Sequence, residues 1–139
     1  MRPGSTTLEQ LLILTILGIL AGIALFGGAP LLEAVAVETA SRESTALFAL
    51  ARDHALSAGE RTAVHIDGAR GRVVVHAGPD TLAMADFAPR GVRVTSTRDS
   101  MAYAPDGLGV GAANLRLILS RGARADTINV SRLGRVEWR

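Results

Sequence analysis

The sequence predicts an α+β fold: one long N-terminal helix, a membrane half followed by an amphipathic half, packed on a small antiparallel β domain. Three observations carry this reading. Leu11 to Phe26 is an uncharged apolar run in which Thr15 is the only polar residue. Helical spacing then continues on an Ala-rich background to about residue 58. From Gly59 onward the pattern changes to period two, punctuated by Gly, Pro and Asp turn chemistry.

The helix begins after Met1-Arg2-Pro3-Gly4, in the segment Ser5-Thr6-Thr7-Leu8-Glu9-Gln10. Leu8 to Leu32 is 25 residues with one acid, Glu9, and one Gln. A spanning helix needs roughly 20 mostly apolar residues. Three readings fit the run: a cleaved secretory signal, an ordinary signal anchor, and a retained membrane helix. The first two leave the acid at position 9 unexplained. An unpaired charge is costly in a bilayer, so Glu9 is a functional candidate; the alternative is a carboxylate snorkelling to the membrane surface.

Gly27-Gly28-Ala29-Pro30 predicts a kink or loosened turn, because Pro30 removes a backbone donor. Residues 31–58 form the amphipathic half. Leu47, Leu50, Ala51 and His54 fall at helical spacing and predict a core-facing stripe, and Gly59 is a C-cap. A helix from Ser5 to Ala58 is roughly 80 Å long at 1.5 Å per residue, too long to be globular along its whole length.

Thr62–Ile66 and Arg72–His76 predict a hairpin around the Asp67–Gly71 turn, ended by Gly78-Pro79-Asp80. Val92–Thr95, Met101–Tyr103, Leu115–Ser120, Thr127–Val130 and Arg135–Trp138 are the further strand candidates. Pro89-Arg90-Gly91, Pro105-Asp106-Gly107 and Gly109–Gly111 supply the turns between them. Five to seven short strands result, in one antiparallel sheet or two small ones. The domain organisation is thus a leader at 1–4, a membrane half at 5–30, and a domain at 31–139, itself divided into helix 31–58 and β region 59–139.

With 139 residues the chain has room for one membrane helix and one small domain. All 15 basic residues are Arg, and there is no Lys and no Cys. No disulfide, thiolate metal site or redox dithiol is therefore possible. The formal charge of +2 is small despite a pI of about 10.3. A polyanion partner does not follow from it.

Catalytic chemistry is not visible. His65 and His76 lie on candidate partner strands and could face each other, with His54 on the helix, but no carboxylate completes a metal site. No G-x-S-x-G elbow or ordered triad occurs. The stretch Gly107-Leu108-Gly109-Val110-Gly111 lacks the strand–helix context of a phosphate loop and reads as a flexible loop. No enzyme activity, cofactor or metal is expected.

The Gly4/Ser5 junction, with Glu9 the fifth residue beyond it, resembles the processing site of type IV prepilins and type II secretion pseudopilins. Ser5 stands where that family usually has Phe or Met, and Gln10 where Leu or Met is usual. The order of Arg52–Gly59, Ala104-Pro105-Asp106-Gly107, Leu115–Leu119, Ile128-Asn129-Val130-Ser131 and Gly134-Arg135-Val136 is similar to the GspH/FimT family of minor pseudopilins and minor pilins. In that family a "p-x-G" turn, a strand and a terminal "v-s-x-x-G-R-v" hairpin close a pilin-like domain.

The resemblance implies cleavage between Gly4 and Ser5 by a prepilin peptidase, and N-methylation of Ser5. It implies a single-pass inner-membrane protein with its C-terminal domain in the periplasm. That protein assembles with other pilin or pseudopilin subunits, near the tip of a periplasmic or surface filament. Glu9 would pair with the Ser5 amine of a neighbouring subunit; two charges entering a low-dielectric core together cost far less than either alone.

DNA is the other partner the resemblance implies, since some FimT-type minor pilins capture it with C-terminal arginines. The last 24 residues hold six Arg against Asp126 and Glu137, a local +4. Arg132, Arg135 and Arg139, with Trp138 as a stacking face, are the candidate DNA-binding residues. The plainer reading is a solvated strand face in an Arg-biased composition. A signal-anchored periplasmic domain unrelated to filaments is a third reading.

Overall fold

The computed structural model describes residues 6–110 and 114–138. Helix α1 runs from Thr7 to Ala58, and Pro30 lies inside it without ending it. Gly59 follows at φ +66°, the left-handed conformation in which glycine commonly ends a helix. The chain divides into two compact units, Met1–Leu32 and Glu33–Arg139.

In the first unit every Leu and Ile from Leu8 to Leu25 leaves between 49 and 76 % of its surface exposed. A helix that is apolar on all sides has no single face to turn toward a core. It needs lipid or other helices around it.

The second unit contains the amphipathic half of α1. Val37, Ala40, Ser41, Ser44, Leu47, Phe48, Ala51 and Ala55 are buried, a stripe of threes and fours. Leu47 and Ala51 sit in the stripe as expected. Leu50 does not: it is 42 % exposed, because it lies about 120° from the centre of a stripe set by Phe48. His54 is half-buried at the stripe's margin.

Nine strands follow among the described residues: β1 (Thr62–Asp67), β2 (Arg72–Ala77), β3 (Asp80–Asp86), β4 (Arg93–Ser96), β5 (Ser100–Tyr103), β6 (Gly109–Val110), β7 (Leu115–Arg121), β8 (Arg124–Val130) and β9 (Val136–Trp138), with a 3-10 turn at Ala88–Arg90. They form two antiparallel sheets, ordered β3-β2-β1-β5-β6 and β4-β7-β8-β9. The inward residues Val64, Ile66, Val73, Val75, Leu115, Leu117, Leu119, Ile128 and Val130 alternate with outward ones, and pack with Phe48, Phe87 and Tyr103 in one core.

Two strands go beyond the sequence expectation. β3 reads Asp-Thr-Leu-Ala-Met-Ala-Asp, without β-branched apolar residues, and is an edge strand held by β2 across an irregularity at Val75/His76. Strand β6 is two residues inside the Gly-rich stretch, held by pairing with β5. Neither has an intrinsic strand signal; neighbours impose both.

Candidate assembly face and arginine cluster

Glu9 lies in the first turn of α1 and is exposed. The amides of Glu9 and Gln10 donate to the carbonyl of Thr6 at 2.8 and 3.3 Å, closing that turn. A carboxylate at a helix N-terminus is favoured by the helix dipole. Among the described residues no cation pairs with Glu9. Gly4 and Ser5 lie outside the described residues. The apolar helix that Glu9 heads is, among the described residues, the one long and apolar enough to cross a membrane.

The turn and hairpin motifs meet in space. In the first, the Gly107 amide donates to Ala104 O at 2.8 Å and the Leu108 amide to Asp106 Oδ1 at 2.9 Å. In the second, the Gly134 amide donates to Ser131 O at 2.9 Å, and the Arg135 amide to Ser131 Oγ at 3.2 Å. The Gly109 amide donates to Arg132 O at 2.8 Å, which joins the two. Gly107 and Gly134 have φ of +75° and +76°. Sequence reasoning placed both motifs but not their contact. Arg52 on the helix joins the same junction, its Nε donating to Gly107 O at 3.1 Å, and no local pattern signals the contact.

Helix α1 is tied to the sheets by further polar contacts. Ser41 Oγ donates to Asp126 Oδ2 at 2.9 Å, and Arg90 Nη2 lies 2.6 Å from Glu43 Oε2. The Ala123 amide donates to Glu33 Oε2 at 3.3 Å. These bonds fix α1 on the sheets and leave its outward face free of them.

The C-terminal arginines do not form one patch. Arg121 and Arg124 face each other at one end of the β7–β8 hairpin. Arg132 and Arg135 lie in the β8–β9 turn at the other end, beside the Leu115–Val130 pair. Seven-residue strands separate the ends by about 20 Å. Arg135 Nη2 is 2.9 Å from Glu137 Oε1. Arg139 and the side chain of Trp138 lie outside the described residues.

The histidines stay apart. His65 stands opposite Val74, and His76 opposite Ala63. His76 Nδ1 is 3.2 Å from Thr81 Oγ1, and His54 Nδ1 is 3.2 Å from Thr62 Oγ1. Among the described residues no group of His and carboxylates is arranged to hold a metal.

The family model of GspH, described as type II transport protein GspH, matches residues 40–134. The chain belongs to the GspH family. Among solved structures, this GspH-family chain is similar to the type IV minor pilin FimU of Pseudomonas aeruginosa, with TM-score 0.64 and 14 % identity over 74 % of this chain and 87 % of that one. It is also similar to the minor pseudopilin EpsH from the type 2 secretion system of Vibrio cholerae, with TM-score 0.60 and 11 % identity over 74 % and 95 % of the two chains. No curated protein sequence matches. The fold is that of minor pilins and pseudopilins, and these structural neighbours are pilin-type subunits.

Proposed function

We propose that this chain is a minor pseudopilin-type subunit of a secretion pseudopilus or pilus. Its apolar helix half is held in the inner membrane before assembly, and its domain in the periplasm. The observation that carries this is the first unit. Its Leu and Ile residues are exposed on all sides of a helix whose first turn holds one acid, unpaired among the described residues, in a chain of the GspH family. Such a helix is stable only when lipid or neighbouring helices surround it. On this reading a peptidase cuts between Gly4 and Ser5, Ser5 is N-methylated, and Glu9 pairs with the new amine of an adjacent subunit near the filament tip.

Two measurements test it. Co-expression with a prepilin peptidase should shorten the protein by the mass of residues 1–4, and Gly4→Val should block the cut without releasing the protein from membranes. A cut near Ala29 would instead establish an ordinary signal peptide. Glu9→Leu should insert at least as well as the parent, yet fail to co-purify with partner subunits. Normal co-purification of that variant removes the pairing.

The assembly reading is also favoured over DNA capture by the arginine geometry. A duplex is held by a continuous track of cations. Here the hairpin arginines are divided between two ends, and one of them is engaged by Glu137.

A further inference from the structure

The second sheet carries, on the face turned away from the core, an open groove of about 690 Å³. A row of cross-strand neighbours underlies it. Arg116 on β7 stands opposite Asn129 on β8, and Asn129 opposite Glu137 on β9. Residues on either side of this row, Leu115, Leu117, Ile128 and Val130, are buried, so alternation directs the row outward. Arg116 Nε donates to Asn129 Oδ1 at 3.2 Å. That bond uses one of five guanidinium donors and fixes the plane of the fork. Arg135 reaches into the same groove and pairs with Glu137, but the two side chains are 77 and 50 % exposed. So exposed a pair is weak and gives way to a better-placed acceptor. Leu133, 70 % exposed, forms an apolar lip.

We propose that this groove binds an extended acidic peptide segment of a partner protein, through a side-chain carboxylate seated between Arg116 and Arg135 and an aliphatic neighbour against Leu133. Two planar forks suit a carboxylate, which accepts two parallel hydrogen bonds from each. With Glu137 in the groove the local charge is modest, which fits one or two carboxylates. A nucleic-acid backbone fits less well. The next arginine along β7, Arg121, lies about 17 Å from Arg116, so phosphates following the strand would find no matching cation. The extended form follows from the sheet face, where a strand-like peptide directs alternate side chains into the groove. The inference does not depend on filament assembly.

The test uses the full chain in detergent micelles. The probe is an end-capped peptide of alternating Val and Glu carrying a neutral dye, followed by fluorescence anisotropy. Saturable binding is expected, weakened roughly tenfold when Gln replaces Glu in the peptide. Arg116→Gln and Arg135→Gln should each weaken it by a similar factor. Arg124→Gln, an equal loss of charge at the far hairpin end, should change it by less than about twofold. Glu137→Gln frees Arg135 and removes a like charge, so it should tighten binding; this gain cannot come from misfolding. Absence of saturable binding overturns the proposal. So do equal losses in Arg124→Gln, or weaker binding in Glu137→Gln. Tighter, groove-dependent binding of oligothymidine overturns it in favour of nucleic acid.

Discussion

Arg52 on α1 donates its Nε–H to the carbonyl oxygen of Gly107 at 3.1 Å. Gly134 sits against the same pair: a Cβ placed on it would be 2.7 Å from Gly107 O and 3.0 Å from Arg52 Nε. Helix, β5–β6 turn and β8–β9 turn therefore converge on one point. Glycine is required at Gly134 twice over, by a left-handed φ and by this close approach.

Gly134→Ala should therefore destabilise the domain more than Gly78→Ala. Gly78 also has a positive φ, +56°, but open space around it. The conformational cost common to both is about 1–2 kcal/mol. The backbone overlap at Gly134 adds about 1–3 kcal/mol. Denaturant unfolding of the two variants in the same micelles measures the difference. Equal losses would mean that the turns separate easily and the junction carries little.

Arg52→Met keeps the aliphatic stem and removes the donor. Losing a charge-assisted bond to a partly buried carbonyl should cost about 1–3 kcal/mol. The double variant with Gly134→Ala is the sharper measurement. Arg52 Nε is one of the atoms the new methyl meets, so removing it relieves part of the overlap. The combined loss should be smaller than the sum of the single losses. Strict additivity would place the two residues in separate roles.

Much of this junction was legible in the sequence, and some was not. The Pro105-Asp106-Gly107 turn was visible because turn chemistry is local, and the Ser131–Gly134 hairpin was implied by the family resemblance. Their meeting across Arg52 depends on contacts 55 residues apart, which no local pattern encodes. The core stripe was half legible: Leu47 and Ala51 announced it, while Leu50 misled because an exposed leucine has the same spacing signal as a buried one. Strand β3 escaped because its Ala, Met and Asp residues pair with β2 without intrinsic strand preference. At the C-terminus, a count of arginines along the chain suggested one cluster, whereas a hairpin sends Arg121/Arg124 and Arg132/Arg135 to opposite ends.

The divided arginines set an expectation for duplex DNA. Each neutralised phosphate contributes about −0.9 to the log–log slope of affinity against salt. If one hairpin end engages the backbone at a time, and Arg135 stays paired with Glu137, the slope should be no steeper than about −2, and binding weak. A slope of about −3 or steeper, flattened in an Arg132/Arg135/Arg139→Gln variant that keeps its fold, would instead establish a DNA site.

Alkaline pH should unfold the domain through one residue. Tyr103 is the only tyrosine in the chain; it is fully buried, and its hydroxyl has no hydrogen-bond partner among the described residues. Burial raises its pKa from 10.0 to about 12, with the Arg52 charge opposing the rise. In the unfolded chain the phenol titrates near 10. Below that pH both states hold the proton, and the stability is complete. Above it the unfolded state ionises first, so stability falls as pH rises through about 12. Two pH units correspond to about 3 kcal/mol. Because the chain has no Lys and no Cys, no other side-chain type normally titrates in this window. The loss should track the phenolate absorbance, which this single tyrosine reports alone. Tyr103→Phe removes a buried hydroxyl that lacks a partner among the described residues, so it should change stability at neutral pH by less than about 1 kcal/mol. It should also abolish the decline between pH 10 and about 12. A decline that persists unchanged in Tyr103→Phe would assign the alkaline transition to another group.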